Sequence, residues 1–167
     1  MSRSDTNRLA KNPNYYVINF LSLITLGFYA PYIYSKFAAK LNIMSRLALD
    51  NNSEKVKFSA NFMYGALVML WLPLAITLVC IRFIASPSAA IIIPLLAVAL
   101  LSGVSLMLYI AKVLQNIKTH ILAIAMHYGR YDIARTFEHD VGFLPSKREK
   151  LIQTAFNKLV DEHNTRV

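Results

Sequence analysis

The stretch Leu23-Ile24-Thr25-Leu26-Gly27-Phe28-Tyr29-Ala30-Pro31-Tyr32-Ile33-Tyr34 carries an apolar run into glycine, then proline, and the first lysine follows at Lys36. Upstream, Tyr15 to Leu26 reads as a helix of about a dozen residues, or ~18 Å at 1.5 Å per residue. That is short for a hydrocarbon core of about 30 Å. Gly27 leaves the helical region of φ/ψ without steric cost, and Pro31 disfavours the helical conformation at Ala30 and cannot donate back to Gly27. A hinge at Gly27 and Pro31 follows, with Pro31 suited to be the first residue of the next helix. In that helix Ile33, Phe37, Leu41, Met44 and Ala48 share one face, while Lys36, Lys40 and Arg46 lie off it. Such a helix either rests in a membrane interface, its three cations on anionic headgroups, or packs on the protein's own bundle.

Outward from the hinge, the chain of 167 residues is 56% apolar and 16% charged, with a mean hydropathy of +0.42. No Asp, Glu, Lys or Arg occurs from Asn12 to Ser35, from Phe58 to Ile81 or from Phe83 to Ala111. Each gap exceeds the roughly 20 residues a helix needs to cross a bilayer. The expected fold class is therefore all-α, a polytopic membrane protein with two long transmembrane helices and a short or re-entrant N-terminal hairpin. Its organisation reads as a mobile basic tail (1–14), a short helix, break and amphipathic helix (15–50), a transmembrane hairpin (58–111) and a helical cytoplasmic region (112–167). The basic lead Arg3, Arg8 and Lys11 resembles a secretory signal, but the segment after it is long and aromatic, and it is expected to be retained.

The net charge of +9 comes from cations that flank the apolar segments, a pattern of cytoplasmic anchoring rather than of nucleic-acid binding. Two crossings put every Lys and Arg on one side except Arg82; three would export Arg3, Arg8 and Lys11. The charge count favours two, with the C-terminal region cytoplasmic in a bacterial inner membrane. Asp50-Asn51-Asn52-Ser53 and Ser86-Pro87-Ser88 read as turns. Ala99 and Gly103 form a small-xxx-small pair suited to helix packing within one subunit or between two. Beyond Lys112 the periodicity continues to Gly129, a C-cap candidate. Pro145 precedes a last helix with a capping box at Ser146 and Glu149. Its apolar face, Leu151, Ile152, Ala155, Phe156, Leu159 and Val160, must be buried against something, and Leu151, Ile152, Phe156 and Leu159 are the candidate interaction face.

Chemistry-bearing constellations are sparse. His120 and His127 stand two turns apart on one face, too far to chelate one ion. Glu138-His139-Asp140 reads as a solvated charged turn, and Cys80 as a small buried hydrophobe. Asn19, Ser22 and Thr25 make a polar stripe for hydrogen bonding to a neighbouring helix, or for lining a pore. No catalytic residue, cofactor or metal site is expected.

The element Thr25-Leu26-Gly27-Phe28-Tyr29-Ala30-Pro31-Tyr32 resembles a TLGxYxPW-type motif found in two groups of uncharacterised bacterial membrane proteins, the YjgN-like (DUF898) family and the DUF4234 family. The Pro31-Tyr32 pair is closer to the former, and Lys40-Leu41-Asn42 is similar to the latter. The resemblance covers some 20 residues and implies a bacterial polytopic membrane protein. The functional expectation is a non-enzymatic accessory, assembly or scaffold subunit, with anionic lipids and another membrane protein or a second copy as partners. An oligomeric pore is the alternative.

Overall fold

A computed structural model describes residues 9–49, 55–84, 88–137 and 145–166, with the side chains of the last segment described from Arg148. The two expected turns, Asp50 to Ser53 and the Ser86-Pro87 part of the reversal, lie outside the described residues, as does Glu138-His139-Asp140. The described chain is helical: α1 (Tyr15–Ile24), α2 (Tyr29–Ala48), α3 (Ala60–Phe83), α4 (Ala89–His127), α5 (Tyr131–Arg135) and α6 (Pro145–Arg166). It divides into two compact units, one of residues 59–110 and one of residues 1–58 with 111–167.

The unit of residues 59–110 is a helical hairpin made of α3 and the first part of α4. Both helices are long and apolar enough to cross a membrane, and only 17% and 6% of their most apolar windows are buried. One narrow stripe of α3 is covered, at Met63, Leu67, Pro73 and Thr77. The rest of its surface shows large apolar side chains, among them Met69, Leu72, Leu78 and Val79. The Ser59 side chain caps α3 by accepting from the Phe62 amide. The Tyr109 hydroxyl accepts from the Ser59 amide at 2.6 Å while its ring stands 4.6 Å from that of Phe62. Inside α3 the buried Thr77 hydroxyl donates to the Pro73 carbonyl at 2.8 Å, so this polar group is satisfied within its own helix, as an apolar surrounding demands. Ala99 is buried, and a Cβ at Gly103 would stand 3.6 Å from the Leu70 side chain of α3. The small pair therefore packs α4 against α3 within one chain.

The other unit is a bundle with a filled core. From α2 it takes Phe37, Leu41, Met44 and Ala48 of the face expected from periodicity, whose fifth residue, Ile33, is half-buried, together with Tyr34 and Ala38; from the C-terminal part of α4, Val113, Leu114, Ile117, Ile121 and Ile124; from α6, Ile152, Ala155, Phe156, Leu159 and Val160. The Phe37 and Phe156 rings lie 4.4 Å apart at its centre. The face of α2 is thus covered by the chain itself. α4 ends where Gly129 predicts: with φ +69 it sits at the left-handed position of a Schellman motif, its amide donating to Met126 and that of Arg130 to Ala125. Arg130 then ties this end to its surroundings, forking onto Asp132 at 2.8 and 2.9 Å and reaching Glu162 of α6 at 2.7 Å. Those bonds from Arg130 hold the Asp132 carboxyl down to about 2.

Two expectations are corrected at helix starts. α2 begins at Tyr29, so Pro31 is its third residue rather than its first. It still falls in the first turn, where a missing N–H costs no helix bond. α6 begins at Pro145, which puts Ser146 inside the helix rather than at its cap, and the Glu149 carboxylate turns to Tyr34 instead.

Candidate functional site

The hinge is a second Schellman motif. The Gly27 amide donates to Ser22 and the Leu26 amide to Leu23, which makes Leu26, at φ 52, the left-handed residue and puts Gly27, at φ 90, after it. Thr25 does the joining: its hydroxyl donates to the Leu21 carbonyl at 2.8 Å and accepts from the Tyr29 amide at 3.0 Å. One side chain closes α1 and opens α2. Of the expected polar stripe, Thr25 is thereby engaged locally, and Asn19 is exposed.

Of the basic tail expected over residues 1–14, residues 1–8 lie outside the described residues, and residues 9–13 form a strap along α6. Gln153, Asn157, Asp161 and Asn164 recur at steps of four, four and three, one polar row beside the apolar face. Asn164 exchanges two bonds with the Leu9 backbone, each 2.9 Å. Asn157 accepts from the Asn12 amide at 3.0 Å, Gln153 donates to the Pro13 carbonyl at 2.7 Å, and Asp161 pairs with Lys11 at 2.9 Å. Lys40 clamps the strap from the other side, donating to the Ala10 carbonyl at 2.8 Å and to Asn12 Oδ1 at 2.9 Å. Burial, with repulsion from Lys36 second, lowers the Lys40 pKa. Asn12 and Gln153 are buried, 8% and 7% exposed, yet Asn12 Nδ2 and Gln153 Oε1 have no hydrogen-bond partner. Both residues line a cleft of about 330 Å³, with Asn14, Tyr16, Lys150 and Thr154 on its walls.

One turn before Gln153, Glu149 and Tyr34 meet at an apolar cavity of about 20 Å³ walled by Ile18, Phe37, Leu114 and Ile117, room for about one water. The Tyr34 hydroxyl donates to the Glu149 carboxylate. Burial raises the carboxyl's pKa, and the hydrogen bond only partly opposes it. Burial, then the Glu149 charge, raises the phenol's.

Among the sequence-derived candidates, Ile152, Phe156 and Leu159 are buried inside the bundle and Leu151 is half-buried. The proposed interaction face is thus the bundle's own core, because α2 and α4 fill the space before it. The three expected lipid contacts separate: Lys40 is taken up by the strap, Lys36 is exposed and stacks over the Tyr32 ring at 5.6 Å, and Arg46 is exposed. His120 Nδ1 bonds the Asn116 carbonyl at 3.0 Å, and among the described residues no three His, Cys, Asp or Glu side chains group to hold a metal ion.

The strap, the Tyr34–Glu149 pair and the amide row escaped sequence reasoning. An amide row beside an apolar stripe is a readable signal, but its partner is an extended segment with no periodicity of its own. No family model, no curated protein and no solved structure matches the chain.

Proposed function

We propose that the protein is a two-pass membrane subunit that works by packing in the bilayer, an accessory or assembly component with its bundle on the cytoplasmic side of a bacterial inner membrane. The observation that carries this reading is the exposed apolar surface of the α3–α4 hairpin, with 17% and 6% of the apolar windows buried. Only lipid tails or other membrane helices cover such a surface without cost. The bonds from Leu9, Asn12 and Pro13 to α6 support two crossings. Such bonds need both ends of the chain on one side, which favours α1, with 10 residues, as a re-entrant segment over a separate crossing. The basic flanks support a cytoplasmic bundle, and the TLGFYAPY element supports kinship with the YjgN-like or the DUF4234 group.

A groove of about 380 Å³ on the hairpin, lined by Gly65, Ala66, Ser102 and Ser105, is the surface suited to a partner helix. A Cβ at Gly65 meets nothing within 4 Å, so the side chain of Gly65→Leu starts in open space and projects into the groove. The expected outcome is loss of cross-linked or co-purified partner, or of the self-associated species, at unchanged insertion. Unchanged association would refute the packing role, and solute flux from liposomes holding only this protein would favour a pore.

A further inference from the structure

We propose that the bundle meets the membrane through α1, whose outer face lies among the headgroups and upper acyl chains of an anionic leaflet, with Lys36 and Lys150 on the lipid charges. The apolar face of α2 cannot fill this role, because Phe37, Leu41 and Met44 are buried in the bundle core. α1 is built the other way round. Its buried residue is Ile18, beside Tyr34 and Phe37, and Ser22 is half-buried. Tyr16, Val17, Phe20, Leu23 and Ile24 are all exposed, Leu23 by 76% and Phe20 by 62%. At about 100° per residue they share one arc of about 120°, with Asn19 at its edge. Leu26, exposed at the hinge, carries this surface to the turn. An apolar arc of that kind is costly in water and is what an interfacial helix buries in lipid. The 10 residues of α1 span about 15 Å, half of a hydrocarbon core of ~30 Å, so α1 stays within one leaflet.

Charge selects the lipid. No Asp or Glu occurs from Thr6 to Leu49, and Glu149 of α6 turns inward to Tyr34. At the start of the arc the Lys150 ammonium stands over the Tyr16 ring at 5.4 Å and donates to its hydroxyl at 3.2 Å. Past the hinge the Lys36 ammonium stands over the Tyr32 ring at 5.6 Å. Both lysines are exposed. A tyrosine with an ammonium over its ring has an apolar body and a cationic tip, the combination that sits at headgroup level. An apolar arc flanked by cations matches a surface that is hydrocarbon below and phosphate above, as an anionic leaflet is. This placement rests on the membrane reading above.

The test uses the full chain with Cys80→Ser and a single fluorophore, either on Leu23→Cys of α1 or on Leu78→Cys of α3. The chain is reconstituted at low density in vesicles of phosphatidylcholine and phosphatidylglycerol, with one lipid at a time carrying bromine on its acyl chains as quencher. Both labels are expected to be quenched, the label at position 23 most by bromines near the headgroup. That label is also expected to favour brominated phosphatidylglycerol about fivefold over brominated phosphatidylcholine, the worth of roughly one surface lysine. Lys36→Gln combined with Lys150→Gln is expected to abolish the preference and leave the label at position 78 unchanged. A label at position 23 that bromine does not reach, while that at position 78 is quenched, would overturn the placement of α1 and leave the two-pass reading standing. If aqueous iodide does not reach it either, a second copy of the chain covers the face instead. Loss of quenching at both positions would overturn both readings. Equal quenching by the two lipids, or a preference that survives removal of the two lysines, would overturn the proposal.

Discussion

Leu26 is the residue at which the hinge is under strain. A left-handed backbone costs an L-residue roughly 1–2 kcal/mol, and Leu26 holds φ 52 with 54% of its surface exposed, so packing returns little. Leu26→Gly is expected to stabilise by about 0.5–1 kcal/mol, the strain relief outweighing the greater unfolded-state entropy of glycine. Chemical unfolding followed by circular dichroism measures it. The sequence points to Gly27 for this role because glycine is the usual left-handed residue; which of two neighbours takes C′ depends on the last carbonyls of α1, which no composition rule reports. Glu149 offers a second residue-level prediction. Its carboxyl is raised by burial, so the native state holds this proton more tightly than the unfolded chain. That contribution is complete below the ordinary carboxylate pKa and is lost as the pH rises through the raised value. Glu149→Gln, which stays neutral, is expected to unfold at a higher temperature than wild type at pH 8 and to show no such advantage at pH 4.

At the scale of elements, α6 shows the difference between knowing that a face is buried and knowing what buries it. Its periodicity names Ile152, Phe156 and Leu159, and all three are buried; that α2 supplies Phe37 against Phe156 is a long-range fact that spacing does not contain. A substitution there consequently reads out stability. Phe156→Ala is expected to cost about 3–5 kcal/mol and to expose the bundle to limited proteolysis at protein concentrations where no partner is present. α3 and α4 were legible for a simpler reason, since each contains a long charge-free apolar run, and both form helices long and apolar enough to cross a membrane. The continuation of α4 to Gly129 was legible too, because the apolar period and a C-cap residue agree. The strap was not: five extended residues leave no pattern until Gln153, Asn157 and Asn164 are seen beside them.

For the whole molecule, the parity of crossings is the property most open to measurement. Cysteine labelling with a membrane-impermeant reagent, on a Cys80→Ser background, is expected to leave single cysteines at the exposed positions 10 and 158 equally protected in intact cells. Both are expected to become reactive when the cytoplasmic face is opened. Protection of one alone would mean that α1 crosses and that the bonds between strap and α6 do not form in the cell.

Those bonds also set an order of events during synthesis. Leu9 pairs with Asn164, 155 residues downstream, and Asn12 with Asn157. The ribosome therefore releases the strap well before its partners on α6, and long-range closure of this kind is slow. Both long apolar helices have emerged and found their surroundings while the strap is still waiting. A nascent chain stalled before Gln153 would carry both long apolar helices with Asn12 and Lys40 still solvated, and the bundle would close only once α6 has emerged.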